Sequence, residues 1–80
     1  MIDAKKAVNA ASDYFREVTG YSGDVTVEEI ELDESDEYWW VTLGYLKEDL
    51  SNPFGRAFKA FRVRASDGKV TAMKIRRVVG

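Results

Sequence analysis

Five serines, Ser12, Ser22, Ser35, Ser51 and Ser66, could act as nucleophiles with a base beside them, but the chain contains no histidine to activate them. It contains no cysteine either, so no disulfide and no thiolate metal site supports it. Carboxylates are dense in EEIELDESDE, residues 28–37. They fall along a strand and a turn, without the spacing of a calcium-binding loop. They read as a solvated acidic edge that discourages edge-to-edge pairing. The glycines in GYSG and LGY match no phosphate-binding loop. No catalytic residue, no metal ligand and no cofactor is therefore expected, and the chain does not read as an enzyme. What remains with chemical character is SDEYWWVTLGY, residues 35–45, together with the cations that follow it. Its adjacent Trp39 and Trp40 must point to opposite faces of a strand.

The elements that position these side chains follow from periodicity. Residues 3–19 are predicted to form one helix, because Ala4, Ala7, Val8, Ala11, Phe15 and Val18 recur at three- and four-residue steps. Asp3 suits the N-cap and Gly20 the left-handed stop. From Val25 the period becomes two. Strands are predicted over residues 25–33, 37–46, 57–65 and 69–78. In the first, Val25 and Val27 share one face while Ile30 and Leu32 fall on the other. A bulge near Glu28–Glu29 restores a single apolar face. In the second, Trp39, Val41, Leu43 and Tyr45 form the more apolar set and are placed inward. The segment from Lys47 to Gly55 carries the only proline and is predicted to be the most mobile internal loop, with Phe54 tucked against the sheet end or exposed as a second anchor. For the last hairpin, a two-residue turn at Asp67-Gly68 would put Lys74 in the core. A three-residue loop, Ser66-Asp67-Gly68 with Gly68 left-handed, pairs Val63 with Thr71 and Phe61 with Met73. Phe61, Val63, Met73 and Ile75 then face the helix, so this register is preferred.

The expected architecture is an α+β fold: one N-terminal helix packed on a four-stranded antiparallel meander, order 1-2-3-4, in a single domain spanning residues 1–80. One helix covers one face of such a sheet and leaves the other open. The outward set is Tyr38, Trp40 and Thr42, then Phe58, Ala60, Arg62 and Arg64, then Val70, Ala72, Lys74 and Arg76. An aromatic cluster thus stands among cations, with Arg62 or Arg64 placed to stack on Trp40. The candidate binding residues are Tyr38, Trp40, Phe58, Arg62, Arg64, Lys74 and Arg76. Aromatic rings and arginine are enriched at interface centres, which suits a protein or peptide partner. Exposed rings among cations also suit single-stranded nucleic acid, the alternative. A self-associating structural domain is a third reading, and a monomer or weak homodimer is expected. A solvated face held by cross-strand pairs would carry the same residues.

Charge weighs on that choice. Net charge is −2, with −8 in residues 1–40 and +6 in residues 41–80. The acidic balance argues against a dedicated nucleic-acid binder. The segregation fits either a basic surface for an anionic partner or two halves that neutralise each other. Charges interrupt every apolar run near MIDAKKAVNAASDYF, so neither a signal peptide nor a membrane span is read there, and a cytoplasmic location is expected.

The alanine-rich helix AKKAVNAASDYF, the strand YWWVTLGY and the hairpin FRVRASDGKVTAMKI together resemble the PepSY domain, and more loosely the cystatin-like arrangement of a helix on an antiparallel sheet. Ala7 and Ala11 match the early alanine of the PepSY pattern, and Trp39-Trp40-Val41 approximates its central strand. Residues 63–70 match its closing hairpin in length, in Val63 and Val70, in Ala65 and in Gly68. Arg64 stands where that pattern has Asp, and Asp67 where it has Thr. The resemblance implies a non-catalytic regulatory or inhibitory module, of a kind often linked to peptidases and usually exported. The Q-x-V-x-G hairpin of cystatin inhibitors is missing, so that inhibitory activity is not implied.

Overall fold

A computed structural model describes residues 1–47 and 55–76, with the backbone alone at Arg76. Helix α1 spans Ala4–Thr19, and strands β1 to β4 span Val25–Leu32, Tyr38–Leu46, Arg56–Arg64 and Val70–Arg76. The strands form one antiparallel sheet in the order β1-β2-β3-β4, with α1 on one face. The predicted fold class and strand order hold. Residues 48–54 of the predicted loop, Phe54 among them, and residues 77–78 of the fourth strand lie outside the described residues.

Local chemistry fixes the helix ends. The Asp3 carboxylate accepts the Lys6 backbone N–H at 2.9 Å, satisfying one of the first-turn donors that has no helical partner. Gly20 adopts φ +74° and donates its N–H to the Arg16 carbonyl at 2.8 Å, which closes the C-terminus. Between them Ala7, Ala11 and Phe15 are buried against Val41, Leu43, Phe61 and Val63 of the two central strands. Two alanines in the stripe let the helix backbone lie close to the sheet. Phe15 fills the space that opens towards the C-terminal end, where it meets Tyr45 at 4.8 Å and Tyr21 at 5.4 Å between ring centroids.

That three-ring cluster explains one departure. Val18 continues the apolar stripe, yet it is 54% exposed. Gly20 turns the chain back so that the Tyr21 ring, not Val18, closes the core at this end.

Two bulges set the register. The one in β1 falls between Val27 and Glu29, as expected, and brings Val25, Val27, Ile30 and Leu32 onto the helix side. The other was not foreseen. Phe61 pairs with Met73, but Val63 pairs with Val70 rather than with Thr71. Near the turn the loop is four residues long: the Arg64 N–H donates to the Lys69 carbonyl, and the Gly68 N–H to the Arg64 carbonyl, both at 2.8 Å. Gly68 has the expected positive φ, +78°. The bulge absorbs the extra loop residue. Val70 therefore packs on the core instead of facing outward, while Thr71 is exposed. Burying a valine in place of a threonine accounts for the choice.

The helix does not reach the whole inner face. Ile75 shares a face with Leu43 and Lys59 by register, but it is 77% exposed rather than helix-covered. Trp39 lies on the helix side as expected, though half-buried at the rim rather than deep in the core. Its indole N–H donates to the Ile2 carbonyl at 3.1 Å, and the Ile2 N–H donates to the Ala65 carbonyl at 2.7 Å. A ring with one polar atom suits that position, where the apolar body packs inward and the N–H meets the backbone.

Candidate functional site: the open sheet face

On the face away from α1, the pairings fix side-by-side rows. Tyr38 stands beside Arg64; Glu31, Trp40, Arg62 and Ala72 form the next row; Glu29, Thr42, Ala60 and Lys74 form the third. Thr26, Gly44, Phe58 and Arg76 form the fourth. The sequence-derived candidates Tyr38, Trp40, Phe58, Arg62, Arg64 and Lys74 are thus brought onto one surface. Arg76 joins them by its strand position, its side chain lying outside the described residues.

The stacking partners differ from those expected. The Arg62 guanidinium lies over the Tyr38 ring, 4.7 Å from its centroid, and the Lys74 ammonium lies 5.9 Å from the Trp40 centroid. Neither Arg62 nor Arg64 covers Trp40. Arg62 is drawn away because its Nε donates to the Thr71 hydroxyl at 2.9 Å, and that hydroxyl donates back to the Arg62 carbonyl at 3.2 Å. Lys74 reaches Trp40 diagonally because the strand between them presents only Ala60 in the Lys74 row.

Arg64 is held in a bidentate pair with Asp67, both nitrogens 3.0 Å from their carboxylate oxygens. This hydrogen bonding raises the Arg64 pKa. The same Arg64 bond, then the Lys69 N–H, lowers that of Asp67. At the other end Arg56 pairs with Glu28 at 3.0 Å and also bonds the Thr26 hydroxyl, which itself bonds Glu28. The Arg56 guanidinium stands 6.0 Å from the Phe58 centroid.

Arg56, Glu28 and Thr26 were missed as members of this face. The signal that marked them was Gly44. A glycine inside a strong strand marks a close approach. Here a side chain at 44 would meet the Arg56 guanidinium at 2.7 Å and the Glu28 carboxylate and Thr26 hydroxyl at 2.8 Å. Together the long side chains leave Thr42 5% exposed although no element covers it among the described residues. Trp40 is half-buried for the same reason.

Beside this network, a concavity of about 610 Å³ opens between the segment after α1 and the end of β2, lined by Tyr21, Asp24, Thr26, Tyr45, Lys47 and Arg56 among others. The acidic turn between β1 and β2 is organised by Asp33. Its carboxylate accepts the Ser35 hydroxyl at 2.9 Å and the Glu37 and Tyr38 N–H groups at 3.2 and 3.4 Å. Burial pushes this carboxyl up, but the hydrogen bonds from Ser35, Tyr38 and Glu37 outweigh it, and the net shift is downward. Asp33 therefore builds the turn. Among the described residues no cluster of three or more His, Cys, Asp or Glu is placed to hold a metal ion. No helix there is long and apolar enough to cross a membrane.

No family model, no curated protein and no solved structure matches this chain.

Proposed function

We propose that the chain is a small non-enzymatic binding or regulatory module, and that it recognises a protein or peptide through the open face of its sheet. The observation that carries this reading is the pair of rings on β2, Tyr38 and Trp40, each with a cation beside it, on a face that no described element covers. Desolvating such a pair against a partner strengthens it, from about 0.5–1 kcal/mol when exposed to roughly 2 when buried. Arginine and aromatic residues supply much of the binding energy at protein interfaces for this reason.

The same geometry weighs against the nucleic-acid alternative. Bases stack on free ring faces and phosphates pair with free cations. Here Arg62 and Lys74 lie against the two rings, while Arg64 and Arg56 are engaged by Asp67 and Glu28. The PepSY resemblance, which implies a regulatory rather than catalytic module, points the same way as the protein-binding reading. A cytoplasmic setting is part of the proposal.

The test is capture from the native host with the wild-type chain and Trp40→Ala side by side. The reading expects partners retained by the first and lost by the second. Equal capture by both would refute it. Capture of nucleic acid, weakening by roughly 0.7 log units per phosphate for each log unit of salt, would select the alternative.

A further inference from the structure

The open face has opposite charge at its two sides. On β1, Glu29 and Glu31 point to this face and are exposed. On β4, Lys74 is exposed on the same face, and on β3 Arg62 stands beside Trp40. We propose that a second copy of this chain covers the face, related to the first by a two-fold axis running along the strands. The proposal rests on the reading of this face as a binding surface and names its occupant.

Two in-plane axes can lay the sheet face to face on its own copy. An axis across the strands puts β1 on β1 and β4 on β4, so Glu29 and Glu31 meet their own copies and Lys74 meets Lys74. Like charges brought together in an interface suppress such an arrangement. An axis along the strands puts β1 over β4 and β2 over β3, each row facing the same row. Glu29 then lies over the row position of Lys74 in the second copy, Glu31 over that of Ala72, and Trp40 over that of Arg62. Thr42 faces Ala60, so the shortest side chains meet at the centre, where two sheets must approach to about 10 Å.

Other occupants fit less well. An acidic peptide is repelled by Glu29 and Glu31, and a basic one by Arg62 and Lys74. A partner needs the same charge gradient reversed, and the rotated chain supplies it by construction. Closed two-fold dimers are also the commonest homo-oligomers. Four strands of seven to nine residues offer a footprint of about 20 by 25 Å. With side-chain relief this approaches the roughly 800 Å² per partner of a standard interface. A dimer dissociating on the order of micromolar concentration is expected.

Sedimentation equilibrium over a wide concentration range at low salt tests the proposal. Two variants are compared with the native chain: Lys74→Glu, and Glu29→Lys with Glu31→Lys together. All these positions are exposed, and circular dichroism verifies that each variant folds. Each alone should lose dimer affinity by about tenfold or more, since its edges now meet like charge. An equimolar mixture of the two should dimerise again, because in the mixed pair both edges meet opposite charge. A native chain that stays monomeric throughout, or a mixture no better than its components, would overturn the proposal. A monomer that still loses a captured protein on Trp40→Ala would remove the second copy alone. A dimer indifferent to Trp40→Ala and to both charge variants would remove the open face as a binding surface altogether.

Discussion

Trp39 and Trp40 are neighbours in sequence with different physical tasks, and their truncation should show it. Trp39→Ala removes a half-buried ring and its bond to Ile2, at the rim of the core. A cost of about 2 kcal/mol is expected, below the roughly 3–5 kcal/mol of a fully buried tryptophan. Trp40→Ala loses packing on the open face and the Lys74 contact. It should cost about 1 kcal/mol or less. Urea titration of both variants checks the order, and the reverse order would contradict the face assignment. Which face each tryptophan takes was legible from alternation alone. The depth was not, because alternation says nothing of where a strand runs out from under the helix. The ring partners were also beyond reach. Arg62 and Arg64 were the neighbours of Trp40 by sequence logic, but the Thr71 hydroxyl and the Asp67 carboxylate hold them elsewhere.

Among the elements, the β3–β4 hairpin carries two predictions. Gly68 has φ +78°, and a side chain there would find only Ile2 carbons, at 3.6 Å or more. The objection to Gly68→Val is therefore backbone strain, not space, and more than about 1 kcal/mol of destabilisation is expected in a thermal melt. Asp67 supplies the second. Its pKa is lowered below 3.8 by the Arg64 bond and then by the Lys69 N–H. A carboxyl with a depressed folded-state pKa adds stability above its unfolded value, and that contribution is lost as pH falls through the folded one. The hairpin should keep its amide shifts as pH falls through the ordinary carboxylate range and lose them only below it, as NMR titration of Gly68 and Lys69 would show. In Asp67→Asn that acid step should vanish. The positive φ and the Phe61–Met73 register were readable from which face must stay dry. The second bulge was not, since a three-residue loop and a four-residue loop plus bulge give the same pairing beyond Arg62.

As a whole, the domain is a slab 17 Å thin, one helix on one sheet. Among the described residues there is a single core, and Phe61 sits at its centre, 0% exposed and in edge contact with Tyr14 and Phe15. Phe61→Ala should cost about 3–5 kcal/mol. For a chain of 80 residues, whose whole stability is on the order of 5 kcal/mol, that leaves little folded protein. Loss of near-ultraviolet circular dichroism across all aromatic bands would show it, whereas a local change confined to one band would point to independent subunits of structure. Layer count, strand order and the covered face were legible because one amphipathic helix can shield only one side of a meander. The ion-pair network over Gly44 was not, since it joins residues 26, 28 and 56, far apart in the chain.

That network also constrains the order in which substitutions can accumulate. A methyl group at position 44 collides with three side-chain ends at once while Thr26, Glu28 and Arg56 are all present. Once Arg56 has become a short residue, the nearest obstacle is gone and Glu28 is free to swing aside. The Thr26 hydroxyl, released from its bond to Arg56, is left as the one contact that must turn away by rotation about χ1. A lineage that changes 56 first can later accept alanine at 44, and the same pair of changes in reverse passes through a less stable intermediate. Glycine at 44 is therefore contingent on its neighbours, and related chains should show alanine there chiefly where position 56 no longer carries a long cation.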